Sequence, residues 1–318
     1  MISFATTWKI IKQSFADFFS ERVLKLSAAL SYYTLFSLPG LLIIVLWISD
    51  VFYGRAAVEG TVYSQIADFV GRDAALQIQQ TIRNTTLSSD NKIATVVGLV
   101  TLIIGATSVF GEIQDSINLI WRLKAKPRKG WLKLLVNRLL SFSIIITLGF
   151  LLLVSLIVNG ILDTFISRFT LAFPEAQVIA FYIANVILSF AITSFLFGLI
   201  FKVLPDAKIK WHNVRIGAFT TALLFMLGKF FISYYLGHTR MTSVYGAAGS
   251  VIVILLWVYY SAIILYFGAV FTRVYAIQTG SHIYPDDYAV WIKEVEMEYD
   301  HSLQSMPEKK STIPSAKK

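Results

Sequence analysis

The residues of this chain that could do chemistry are few, and most sit inside long apolar runs. Ser27, Ser31 and Thr34 recur at helical spacing in a stretch that ends in Ser37-Leu38-Pro39. A polar stripe of that kind belongs against protein rather than lipid. Pro39 removes a backbone donor and frees the Leu35 carbonyl, the sort of defect from which broken transporter helices build sites. A tolerated kink with small-residue packing leaves the same signature. Lys229 stands about fifteen residues into a second run, roughly 22 Å from where that run begins. An ionisable side chain at such depth is a functional candidate by default. It also lies seven residues from Leu236, close enough for its stem to snorkel outward.

Two further groups carry polar chemistry. Glu112, Asp115, Ser116 and Asn118 crowd the end of one apolar run, with Glu112, Asp115 and Ser116 on one helical face. They could bind a cation, or form an ion-pair collar with the basic residues between Arg122 and Arg138. Tyr245-Gly246-Ala247-Ala248-Gly249-Ser250 leads into the last run, where small residues allow a neighbouring helix or a ligand to approach closely. Trp257, Tyr259 and Tyr260 fall too deep to be interfacial anchors, so their polar tips need buried partners or a cavity. Trp121, Trp131 and Trp211 are placed as belt residues at the membrane surface. A substrate cavity drawn from these residues is lined by Ser31, Tyr32, Ser37, Pro39, Lys229, Tyr245 and Tyr260, and the polar cluster is Glu112, Asp115 and Asn118.

Enzyme chemistry finds little support. His212, His238, His282 and His301 are scattered without metal-ligand spacing, and the chain has no cysteine. No glycine loop followed by Lys cradles a phosphate. The expectation is therefore a protein without metal, cofactor or catalytic residue, and not an enzyme.

The elements that position these residues follow from the hydropathy pattern. Of 318 residues 56% are hydrophobic and 15% charged, against about a quarter charged in an ordinary soluble domain. The mean hydropathy is +0.66. Six apolar blocks, near 26–52, 93–114, 138–161, 178–203, 214–236 and 249–275, are each long enough for a bilayer core of about 30 Å, or about 20 helical residues. The fold class is all-α: a polytopic bundle of about six transmembrane helices. Of the 28 Lys and Arg, 21 fall on one side of these blocks, six on the other, and Lys229 within one. Basic residues resist translocation, so both termini are expected in the cytoplasm. The same bias accounts for the net charge of +9 through anionic lipid rather than nucleic acid.

Three parts result. Residues 1–25 form an amphipathic cytoplasmic segment that lacks signal-peptide features and is expected to be retained. Residues 26–277 form the membrane domain, with an outside loop at 53–92 that reads as two amphipathic helices. Residues 278–318 form a polar cytoplasmic tail with an acidic amphipathic stretch at 286–299 and a partly disordered end.

Several segments in order resemble the YihY/BrkB family of bacterial inner-membrane proteins: Ala29-Leu30-Ser31-Tyr32-Tyr33-Thr34-Leu35-Phe36-Ser37-Leu38-Pro39, Asn118-Leu119-Ile120-Trp121, Leu204-Pro205, and Tyr245 to Ser250 running into Leu255-Leu256-Trp257-Val258-Tyr259-Tyr260-Ser261 and Gly268-Ala269. The resemblance covers roughly residues 8–277 and implies a six-helix protein of the bacterial cytoplasmic membrane. It implies no activity. The ribonuclease BN label that members have carried finds no carboxylate and histidine constellation here. After Gly268-Ala269 the family pattern has Glu where this chain has Val270, which removes any ion-coupling role for that acid.

The leading expectation is a transporter or flippase-like protein for a lipid-linked or amphipathic substrate, with Lys229 drawing an anionic head group. The alternative is an envelope scaffold or maintenance protein that moves nothing. Expected partners are membrane lipids, anionic ones at the cytoplasmic face included, with no nucleic acid; the sequence leaves the oligomeric state open.

Overall fold

The computed structural model of the chain describes residues 4–37, 92–126, 176–238 and 247–292. Among them are six helices: α1 (Phe4–Ser20), α2 (over 23–37), α3 (Lys92–Ile120), α4 (Ala176–Val203), α5 (Trp211–His238) and α6 (Ala247–Gln278). The apolar blocks at 93–114, 178–203, 214–236 and 249–275 each fall inside one of them. The block at 138–161, most of the block at 26–52, the loop 53–92 except Lys92, and the tail beyond 292 lie outside the described residues. Pro39, Trp131 and Tyr245 lie there too.

Among the described residues, three helices hold stretches long and apolar enough to cross a membrane: Val186–Val203, Trp211–Ile232 and Val251–Gln278. Protein buries only 17%, 28% and 33% of them. Phe195 on α4 and Phe219, Leu223, Leu227, Phe230 and Phe231 on α5 all point outward. Helices that are apolar on inner and outer faces alike suit a lipid surround, not water.

Between lipid-facing helices there is no hydrophobic gain from association, so close packing must hold them. α5 and α6 run antiparallel and interlock reciprocally. A Cβ on Gly217 would overlap the Thr272 hydroxyl, and a Cβ on Gly268 would overlap the Thr221 hydroxyl. Each Thr meets the Gly of the other helix, and each Gly lies four residues before its own helix's Thr. The hydroxyls do not need the partner helix, because Thr221 donates to the Gly217 carbonyl and Thr272 to that of Gly268, both at 2.7 Å. Ala218, Ala222, Ala269 and Ala276 are buried in the same core. α2 and α3 meet as tightly at one point, where a Cβ on Gly105 would come within 2.6 Å of the Ser37 Cβ.

One end of the bundle, here termed the base, gathers the ends of α3, α4 and α6 and the start of α5. Four strands sit there: β1 (Leu123–Ala125), β2 (Ala207–Lys208), β3 (Tyr284–Pro285) and β4 (Ala289–Trp291). β1 pairs antiparallel with β4, Leu123 opposite Trp291, and β2 with β3, Lys208 opposite Tyr284. The fold is thus mostly helical rather than purely so. The chain turns after α6 at Gly280, whose φ is +72°. The Ser281 amide donates back to the Ala276 carbonyl and the Gly280 amide to that of Ile277, a Schellman cap that calls for glycine. Residues 281–292 then fold back onto the base and bury Ile283 and Ala289.

Trp121 corrects one expectation. It is only 3% exposed, inside the core rather than in a surface belt. Its indole donates to the Ala269 carbonyl of α6 at 3.0 Å. Trp211, half exposed, sits under the Lys202 ammonium at 5.8 Å.

The Gly217→Ala variant is expected to lose about 1–3 kcal/mol from overpacking, read as a lower Tm of the detergent-purified protein. Adding Thr272→Ala, which removes the overlapping hydroxyl, restores part of that loss.

Candidate functional site

Two places in the described residues concentrate polar side chains: the base, and the α5–α6 seam at Lys229. The base is organised by Arg273, on the last turns of α6 and only 6% exposed. Its Nη2 donates to Asp17 Oδ2 at 2.6 Å and its Nη1 to Glu21 Oε1 at 2.8 Å. Nη1 also donates to the Ile120 carbonyl, which the end of α3 leaves without an intrahelical partner. One guanidinium therefore ties α6 to α1 and α3 through its fixed fork of donors.

Arg22 and Arg122 complete this corner. Both are left-handed, with φ of 54° and 58°, at the position after a helix end where glycine is the usual residue. The Arg22 amide donates to the Phe19 carbonyl and the Arg122 amide to that of Leu119. Arg122 reaches Glu21 Oε1 at 3.3 Å with its side chain largely in solvent. A cleft of about 550 Å³ opens beside this corner, lined among others by Gln13, Asp17, Trp121, Arg122, Arg273, His282 and Trp291.

A second polar knot stands across the base at Asp206, 2% exposed just after α4. Gln114 donates to its Oδ1 and Asn118 to its Oδ2, both at 3.0 Å. Its amide donates to Asn118 Oδ1 at 2.9 Å, and its carbonyl accepts from the Asp286 amide. Tyr288 also bonds to Asp206, and burial first, then the charges of Asp206 and Asp286, push the Tyr288 hydroxyl well above its ordinary pKa. A buried carboxylate is tolerable only with its lone pairs filled in this way.

The expected polar cluster is therefore divided. Asn118 belongs to the Asp206 knot. Glu112 accepts from Ser116 at 3.2 Å, and Asp115 is exposed with an interaction of its own. Arg122 turns to Glu21 of the N-terminal segment, so the carboxylates that hold Arg122 and Arg273 come from α1 and the turn that follows it.

The expected membrane cavity is also spread out. Ser31 is buried and donates to the Ser27 carbonyl at 2.8 Å; Ser37 is buried and donates to that of Thr34 at 2.8 Å. Tyr32 is 58% exposed and packs with Tyr33 and Phe36 on the outer side of α2. Tyr260 of α6 reaches α5 at Gly228, the residue before Lys229. Lys229 is half-buried on α5, between Leu227 and Phe230, which are 54% and 69% exposed. The Tyr260 hydroxyl of α6 fills the notch at Gly228 that a Cβ would occupy. That hydroxyl is buried without a hydrogen-bond partner among the described residues, and an orphan polar atom costs about 1–3 kcal/mol.

Asp17, Glu21, Asp206 and Arg273 were not singled out from sequence. An arginine just inside the end of an apolar block and an Asp directly after Leu204-Pro205 were the available signals.

Two measurements check the base. Tyr288 ionises less readily folded than unfolded, so its contribution is present below the ordinary Tyr pKa of about 10 and is lost as pH rises through the elevated folded value. Thermal stability should fall more steeply with alkaline pH in the native protein than in Tyr288→Phe. At Arg122 the backbone prefers glycine while the exposed ion pair is worth about 0–1 kcal/mol. Arg122→Gly should thus unfold about 1 kcal/mol later than Arg122→Ala, which keeps the strain and loses the pair.

The chain is 29% identical to a UPF0761 membrane protein of Paraburkholderia xenovorans over 75% of this chain and 53% of the relative. It is 26% identical to one of Saccharophagus degradans, over 84% and 60%, and 25% identical to one of Tolumonas auensis, over 79% and 80%. The chain thus spans just over half the length of the first two. No solved structure matches it. The family model described as Virulence factor BrkB matches residues 14–287. With its lipid-suited helices, its base and most of its length inside that match, the chain is a membrane protein of the virulence factor BrkB family.

Proposed function

We propose that this protein moves an anionic amphiphile, lipid-linked or itself a lipid, across the bacterial inner membrane without catalysing a chemical step on it. The observation that carries this reading is Lys229, half-buried within the spanning stretch Trp211–Ile232 and next in sequence to Gly228, against which the orphan hydroxyl of Tyr260 packs. Lys229 is nineteenth in a 28-residue helix, roughly 27 Å from its start at the base and about 13 Å from its far end. A half-buried charge at that depth attracts an anionic head group. An unfilled hydroxyl next to it supplies a further donor or acceptor.

Placement in the inner membrane with about six spans and both termini cytoplasmic rests on the 21-to-6 distribution of basic residues. It is supported by α1 and residues 281–292 meeting at the same end of the bundle. The base cleft, with Arg122, Gln13 and two indoles on its walls, would then face the cytoplasm.

A second reading, a scaffold that transports nothing, draws support from the reciprocal Gly–Thr seam, which leaves no gap between α5 and α6 along that length.

Reconstituted into proteoliposomes, the protein should move a fluorescent anionic phospholipid between leaflets faster than empty vesicles do. Lys229→Ala, folded to the same extent, should lose about tenfold of that rate, matching about 1.4 kcal/mol of lost interaction. Tyr260→Phe should alter the rate while keeping the fold. Movement no faster than in empty vesicles would favour the scaffold; movement unchanged in both variants would remove the site.

A further inference from the structure

α1 carries a face that the other described residues leave bare. Trp8, Ile11, Phe15 and Phe19 are 64%, 39%, 55% and 67% exposed, and spacings of three and four residues set them along one side of the helix. The opposite side is engaged: Ile10 and Ser14 are buried, and Asp17 holds Arg273. Lys9, Lys12, Arg22 and Lys25, all exposed, border the bare face or follow it at the turn into α2. Large aromatic side chains flanked by lysines with long apolar stems are the composition of a helix seated at a lipid head-group boundary.

Its position agrees. The Phe15 and Phe18 rings pack against Phe267 of α6, at 5.3 and 6.0 Å, and Phe267 lies within the spanning stretch Val251–Gln278. The bare face therefore continues the lipid-facing surface of the bundle.

We propose that α1 docks on an anionic phospholipid leaflet, with Trp8, Ile11, Phe15 and Phe19 at the acyl boundary and the four cations against head-group phosphates. Each basic group close to such a surface contributes on the order of 1 kcal/mol. The inference goes beyond the transport reading and holds whether or not the protein moves lipid.

The chain has no cysteine, so single-cysteine variants report their own position without background. Ile11→Cys, Phe15→Cys and Lys9→Cys, each carrying an environment-sensitive fluorophore, are reconstituted into vesicles of equal parts phosphatidylcholine and phosphatidylglycerol. The labels at 11 and 15 should be quenched by acyl-chain nitroxide lipids and protected from iodide; the label at 9 should show the reverse. Lipid-phase quenching should weaken in vesicles of phosphatidylcholine alone, and in a Lys9→Glu/Lys12→Glu background. Iodide access at 11 and 15 would overturn the proposal by placing the face in water. Protection from both quenchers would overturn it in favour of a protein surface such as a second copy. Equal lipid-phase quenching in all vesicles and backgrounds would overturn the requirement for anionic lipid.

Discussion

The guanidinium of Arg273 is the point on which the base of this molecule depends. A buried cation is tolerable only when its donors are filled, and here they are filled from two other elements: Asp17 and Glu21 from the α1 segment, and the last-turn carbonyl of Ile120 in α3. Net stability is not what such an arrangement chiefly supplies, since desolvation offsets most of the attraction. What it fixes is geometry: α1 meets α6 where two carboxylates one turn apart can grip one fork. A lysine, with a point charge on a flexible stem, could not hold three acceptors in that plane.

Away from the base a different constraint governs. Helices in lipid gain nothing by hiding apolar surface from one another, so the α5–α6 pair depends on backbone proximity at Gly217 and Gly268 and on threonines whose hydroxyls are satisfied within their own helices. The close contact extends to Gly228, where the knob becomes Tyr260 and its hydroxyl is left without a partner among the described residues. That change, beside Lys229, separates a packing seam from a candidate binding point.

The helices were legible because length and hydropathy leave few choices: runs at 178–203 and 214–236 became α4 and α5 within about three residues at each end. The base was less legible. β2 and β3 are two residues each, too short for alternation to register, and their partners lie far apart in sequence, 76 positions at Lys208 and Tyr284. Arg22 and Arg122 close helices in a conformation that sequence rules assign to glycine, so neither signalled a cap. Trp121 sat at the depth of a belt residue but turned inward to the Ala269 carbonyl, a choice made by a partner 148 residues away. Asp17 and Glu21 read as ordinary surface acids on an amphipathic segment until Arg273 was brought to them.

The measurement that tests this account most directly is hydrogen–deuterium exchange of the protein in lipid nanodiscs, native against Arg273→Gln. Breaking a buried ion pair on one side costs about 3–5 kcal/mol, and the loss should be local. Faster exchange across 4–20 and 281–292, with α4 and the α5–α6 seam unchanged, is the result expected of a clamp. Unchanged exchange in α1, or equal loss of protection throughout the bundle, would contradict the claim that this one side chain sets the position of the base.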